Sequence, residues 1–106
     1  MTVWEGIFWA AAAYNLVIGV PGMLRGDSVE ARVIGVLVAA FGIVYAFVAT
    51  DPVRFAPMLW AGVFGKVGVV ALMGPAAAKG QGPKGLGLIL AGDAAFALAF
   101  LVFLLG

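Results

Sequence analysis

The sequence predicts an all-α integral membrane protein, a four-transmembrane-helix up-down antiparallel bundle. Of its 106 residues, 65% are hydrophobic and only 10% are charged, whereas a soluble domain usually carries about a quarter charged residues. The apolar residues form four runs, each close to the roughly 20 residues that a helix needs to cross the hydrocarbon of a bilayer. Because a chain this short could not bury so much apolar surface in one aqueous core, lipid is the solvent that fits it.

Each run predicts one helix, and the four helices predict a single transmembrane domain over residues 1–106. The expected helices cover about 3–24, 32–50, 52–75 and 86–105, since these stretches are too long and too rich in Ala, Leu and Gly for strands. Ser28 is placed to cap the second helix, and Asp51 followed by Pro52 is a typical start for the third. The connectors are short, so we expect successive helices to pack antiparallel.

The distribution of basic residues predicts the orientation of the chain. The second connector carries Arg54, whereas the first and third connectors, with their flanks, carry Arg25, Arg32, Lys79 and Lys84. Since cytoplasmic loops are enriched in Lys and Arg, we expect loops 25–31 and 76–85 in the cytoplasm and both termini outside. The expected location is an inner or plasma membrane.

Three polar residues lie deep inside the predicted helices, at one level. At 1.5 Å rise per residue, Asn15 lies about 15 Å from Arg25, Lys66 about 13 Å from Pro75 and Asp93 about 13 Å from Lys84, all on the expected cytoplasmic side. A lone Lys or Asp at the centre of a membrane helix costs roughly 2.5–3.5 kcal/mol, so we expect Lys66 and Asp93 to pair, with Asn15 nearby. Tyr45 could add a hydrogen-bonding group, and these four residues are the predicted substrate- or ion-binding site.

Two other interpretations of the Lys66–Asp93 pair stay open at this point. The pair could simply pin the third helix to the fourth, because buried pairs can specify register without adding stability. Alternatively, Lys66 could extend its side chain to the cytoplasmic surface, although about 13 Å is a long reach.

Small residues follow a three-four spacing on the first two helices, which lets membrane helices approach closely. On the first helix the stripe contains Glu5, Phe8, Ala12, Asn15, Gly19 and Gly22. On the second helix it contains Gly35, Ala39, Gly42, Ala46 and Ala49. We expect these stripes to be helix-packing faces that turn Asn15 inward.

A second charged cluster is expected at the outer face, from Glu5, Asp51 and Arg54. The simple interpretation makes Asp51 a helix cap and Arg54 an interfacial cation, beside an aromatic belt of the kind that membrane boundaries carry. The functional interpretation makes the cluster the mouth of a cavity that leads down to Lys66. The belt residues are Trp4, Trp9, Phe55 and Trp60.

The residue types present narrow the function classes. The chain has no Cys and no His, which removes thiolate chemistry and the commonest metal and haem ligand, so no metal or cofactor is expected. A net charge of +1 gives no basic field for nucleic acid. An enzyme on a lipid-like substrate, with Lys66 or Asp93 as acid or base, is the weakest hypothesis.

Two hypotheses for the function follow from the polar layer and the small-residue faces. The first is a transporter or channel-like protein for a small polar or ionic solute, assembled as a homo-oligomer because four helices rarely enclose a wide path. The alternative is an accessory or structural subunit of a larger membrane complex, with the ion pair as an assembly contact.

Overall fold

The computed structural model describes residues 2–82 and 85–106. The described part of the chain is all-helical, with 89% of its residues in helices. The helices are α1 (Val3–Arg25), α2 (Val29–Thr50), α3 (Pro52–Phe55), α4 (Leu59–Ala78) and α5 (Leu86–Leu105), with a 3₁₀ turn at Ala56–Met58. Within the described ranges, four spans are long and apolar enough to cross a membrane, counting Pro52–Ala78 as one span of 27 residues. Their length and composition suggest a membrane location.

The start of α2 shows how a cap sets a helix boundary. The helix begins at Val29, three positions before the predicted 32, because Ser28 acts as its N-cap. The Ser28 hydroxyl accepts a hydrogen bond from the backbone N–H of Ala31 at 3.0 Å. This bond satisfies one of the backbone donors that every helix leaves open at its N-terminus.

Removal of this cap should weaken the first helical hairpin. We expect Ser28→Ala to lower the free energy of unfolding by about 1 kcal/mol, measured by far-UV circular dichroism during titration with a denaturing detergent. Thr50→Ala is the matched control, because the Thr50 hydroxyl donates only to the Phe47 carbonyl within the same helix. Equal stability of Ser28→Ala and the wild type would show that the cap contributes nothing.

The predicted third helix, 52–75, differs from the structure at two points. It is broken into α3, a 3₁₀ turn and α4, because Pro57 lacks a backbone N–H and cannot donate the helical hydrogen bond at that position. It also continues past Pro75 to Ala78, since three alanines, the best helix formers, follow that proline. At its start, Asp51 Oδ1 accepts from the N–H of Arg54 at 3.3 Å, as a cap does.

The described chain forms two compact units, Met1–Met58 and Leu59–Gly106. The first contains α1 and α2, which pack together along the small-residue stripes, whose buried members include Gly19, Gly35, Ala39 and Gly42. A Cβ added to Gly19 would lie 2.5 Å from the backbone nitrogen of Ala39. The two backbones are therefore in direct contact, as the three-four spacing predicts.

The second unit contains α4 and α5, and its buried stripe determines where the ionisable residues lie. On α4, Leu59, Gly62, Val63 and Lys66 are buried. On α5, the buried residues are Leu86, Leu90, Ala97 and Phe100. Asp93 lies on this α5 stripe, three residues after Leu90 and four before Ala97, so helix periodicity turns it toward α4.

Candidate functional site: an ion pair between two apolar helices

The second unit contains the ion pair that the sequence predicts. Lys66 Nζ donates to Asp93 Oδ1 at 2.7 Å, and the two side chains are 5% and 13% exposed, respectively. Lys66 lies near the middle of the span Pro52–Ala78, and Asp93 lies about 10 Å inside α5 at 1.5 Å per residue. The pair therefore belongs to the interior of the spans. Extension of Lys66 to a membrane surface is wrong, because its ammonium group is held by Asp93.

An aromatic ring also lies beside the Lys66 ammonium group. Its Nζ atom lies 5.6 Å from the centroid of the Phe96 ring, a distance at which a cation is attracted to the ring face. Phe96 in turn lies 6.2 Å from the Phe100 ring, centroid to centroid. Sequence reasoning missed Phe96, although its position three residues after Asp93 puts it on the same face of α5.

The two members of the pair differ in accessibility. Lys66 is enclosed, whereas Asp93 is partly exposed and accepts through Oδ1. In the part of the chain that the structure describes, no buried side-chain nitrogen or oxygen lacks a hydrogen-bond partner. Oδ2 of Asp93 accepts no hydrogen bond from the described residues, so it belongs to the exposed part of the side chain. The carboxylate is thus the accessible half of the pair.

Asn15 and Tyr45 lie in the first unit and are both buried, at 5% and 1% exposure. The Asn15 side-chain amide donates to the backbone carbonyl of Val38 at 3.1 Å, which links α1 to α2. Tyr45 packs against Phe41, with 6.2 Å between ring centroids. Both residues are inward-facing within their own unit, and a site shared with Lys66 and Asp93 stays a prediction.

The residues of the predicted outer cluster each have a local structural contact. Glu5 forms a capping box with Thr2, whose hydroxyl accepts from the Glu5 N–H at 3.1 Å. Asp51 caps α3, and the Arg54 guanidinium lies 5.2 Å from the Phe55 ring centroid. Among the described residues, Arg54 forms no ion pair with either carboxylate. These contacts favour the simple interpretation of a cap and an interfacial cation.

One basic residue of the first connector has a contact that the sequence analysis did not predict. Arg32 Nε donates to the backbone carbonyl of Met23 at 2.9 Å, near the end of α1. A cation is favourable at a helix C-terminus, where carbonyl groups lack partners inside the helix. Arg32 therefore links the first turn of α2 to the end of α1 across the connector. Lys84, also used for the orientation, lies outside the described residues.

Within residues 2–82 and 85–106, no group of three or more His, Cys, Asp or Glu side chains could hold a metal ion. Comparison of the chain with known protein families, with curated proteins and with solved structures found no match. The function must therefore be argued from the chemistry of the Lys66–Asp93 pair.

Proposed function

We propose that this chain is a small membrane transport protein, a transporter or channel-like protein for a small polar or ionic solute. The Lys66–Asp93 pair is its intramembrane site. The observation that supports this proposal is the 2.7 Å contact between two opposite charges inside two apolar spans. Ionisable residues at such depth are costly, and in membrane proteins they mark ion and solute pathways.

The energetics favour a functional role over a purely structural one. Removing two charges from water is expensive, and well-packed apolar residues of similar volume often hold two helices equally well or better. Leucine or methionine at these two positions would extend the apolar stripes of α4 and α5 without that penalty. Retention of the charges fits a role that needs them to interact with a solute.

The arrangement in the membrane forms part of the proposal. Both termini lie outside, and loops 25–31 and 76–85 lie in the cytoplasm of a cell with this protein in its inner or plasma membrane. The bilayer is the solvent of the exposed apolar side chains. Two helical hairpins leave little room for a path of their own, so the chain assembles as a homo-oligomer or with other membrane subunits.

A second candidate function, an accessory subunit of a larger membrane complex, is supported by one face of α4. A Cβ added to Gly65 or Gly68 would meet no described atom within 4 Å. Next to them lies an open apolar groove of about 440 Å³, lined by Trp60, Val63, Phe64, Val67 and Gly68. Another membrane helix could approach closely there. A subunit should be unstable alone in detergent, whereas a transporter should purify as a stable homo-oligomer.

Flux through reconstituted protein tests the proposed function. We expect liposomes containing the wild type to pass at least one of Na⁺, K⁺, H⁺, Cl⁻ and small organic ions faster than empty liposomes. The apolar double variant Lys66→Met/Asp93→Leu should lose this flux, because the replaced side chains no longer interact with charge. Ion-sensitive dyes inside the liposomes measure the rates.

The matched control is Arg25→Gln/Asp27→Asn, which neutralises two exposed charges of opposite sign in the first connector. This variant should keep the wild-type flux. Undiminished flux through a folded Lys66→Met/Asp93→Leu protein would leave the ion pair with a structural role only. Absence of flux for every solute would contradict the transport proposal itself.

A further inference from the structure

The resident partner of the Asp93 carboxylate is itself an alkylammonium group. The Lys66 side chain consists of four methylene groups and an ammonium, and it is 5% exposed. Its charge is held by one carboxylate oxygen at 2.7 Å and one aromatic ring at 5.6 Å. The second unit therefore contains a carboxylate and an aromatic face placed to bind a protonated primary amine, with Lys66 as the occupant.

The accessible half of the pair determines which charge a ligand from outside must carry. The Lys66 ammonium is enclosed, whereas Asp93 is 13% exposed and has an oxygen without a described hydrogen-bond donor. An anion would need the ammonium, which is the less accessible group. A metal cation usually takes several oxygen ligands, and the described residues offer no cluster of three acidic or other metal-ligating side chains. A monovalent ammonium needs only the carboxylate and an aromatic face.

The geometry points to a short-chain primary alkylammonium as the ligand of this site, exchanging with the Lys66 ammonium for the Asp93 carboxylate. This inference rests on the proposed transport function and names its substrate class. Lys66 acts as a tethered competitor: it neutralises Asp93 when no ligand is bound, and it withdraws when the ligand arrives. The exchange keeps the carboxylate paired throughout and transfers the cost of an unpaired charge to the displaced Lys66 ammonium, which is why the resident lysine weakens the apparent affinity for the ligand.

Because the ligand and Lys66 compete for one carboxylate, neutralising Lys66 and neutralising Asp93 should have different effects on ligand binding. If Lys66 occupies Asp93 for about nine tenths of the time, only a tenth of the sites is competent, and removal of the competitor lowers the apparent dissociation constant about tenfold. Lys66→Met should therefore lower the half-saturating ligand concentration. Asp93→Asn should abolish binding, because it removes the group that attracts the ligand.

The probe is n-butylammonium, which has the same four-carbon chain and ammonium group as the lysine side chain. Its uptake into liposomes is compared with that of butyrate, which has a similar chain and the opposite charge. We expect butylammonium uptake by the wild type, about a tenfold lower half-saturating concentration for Lys66→Met, and no uptake by Asp93→Asn. Uptake of butyrate that depends on Lys66 would overturn the inference, as would equal loss of butylammonium uptake in both single variants.

A binding experiment covers the case in which the single variants reconstitute poorly. Lys66→Ala removes the tethered ammonium and leaves the Asp93 carboxylate with space beside it. Butylammonium should raise the thermal unfolding temperature of this variant in detergent, because a ligand that binds only the folded state stabilises it. It should not raise that of Lys66→Ala/Asp93→Asn, and it should raise that of Leu90→Ala, which opens an apolar space one turn away, no more than that of the wild type. No rise for Lys66→Ala would overturn the inference.

The two experiments separate this inference from the proposed function. Stabilisation of Lys66→Ala by butylammonium without flux of any solute would support the ligand class and contradict transport. Flux of Na⁺ or Cl⁻ that depends on the pair, without a butylammonium effect in either experiment, would support transport and overturn the ligand class.

Discussion

Gly35→Ala should separate α1 from α2 and lower the free energy of unfolding by about 1–3 kcal/mol, the usual range for forced overpacking. A methyl group at this position would overlap the backbone nitrogen of Met23 and lie 2.6 Å from the carbonyl carbon of Gly22. Backbone atoms cannot rotate away as a flexible side chain can. The helices must therefore move apart, and the contacts along the whole small-residue stripe weaken.

Gly65→Ala is the matched control, because it adds the same methyl group at a glycine with no described atom within 4 Å of the added carbon. This variant should keep its stability or gain up to about 1 kcal/mol, since Ala is the better helix former. A Gly35→Ala variant as stable as Gly65→Ala would show that the close backbone contact at Gly35 does not limit the approach of the two helices.

The separation itself can be measured by spin labelling, because the chain has no cysteine of its own. Val17→Cys on α1 and Ile43→Cys on α2 place the labels at exposed positions of the first unit. The label-to-label distance should lengthen or broaden when Gly35→Ala is added and stay unchanged with Gly65→Ala. An unchanged distance in Gly35→Ala would contradict the expected separation.

Lys66→Met alone should cost about 3 kcal/mol or more, the usual penalty for removing one partner of a buried ion pair. The loss arises because the Asp93 carboxylate stays in the span without its hydrogen-bond donor. The double variant Lys66→Met/Asp93→Leu should recover to the wild-type stability or above it, because the desolvation penalty of both charges disappears. Thermal unfolding in detergent is measured for the wild type, for Lys66→Met and Asp93→Leu alone, and for the double variant. These measurements give the three free-energy differences of the double-mutant cycle.

Strong coupling in this cycle is the expected result, with the double variant more stable than either single variant. Additive losses would mean that the two side chains act independently and that their 2.7 Å contact contributes little. A double variant that folds well and transports nothing would assign the charges to function rather than to stability. The cycle therefore also provides the folded control that the flux experiment needs.

The spans and caps could be predicted because their causes are local. Long apolar runs predict membrane helices from length and composition, and Ser28 and Asp51 cap helices through bonds to residues three positions away. The break at Pro57 also has a local cause, and its signal was present in the sequence. The end of α4 at Ala78 was harder to predict, because a proline inside a helix and one at its end have the same local signal.

The partners of the polar groups depend on contacts between helices. The cost of a lone charge in lipid predicted that Lys66 and Asp93 would pair, and the structure contains that pair. The Phe96 ring, the bond from Asn15 to Val38 and the bond from Arg32 to Met23 were not predicted. Each depends on the rotation of one helix against another, which hydrophobicity alone leaves undefined.

By itself, the sequence determined that this protein contains four helical stretches long and apolar enough to span a membrane and that charges inside them need partners. Those conclusions follow from the hydrophobicity of the runs and from the penalty for an unpaired charge in lipid. Only the tertiary structure decided that Lys66 is the enclosed member of the pair and Asp93 the accessible one. That difference depends on how α4 and α5 face each other, and it is the observation from which we infer the charge of the ligand.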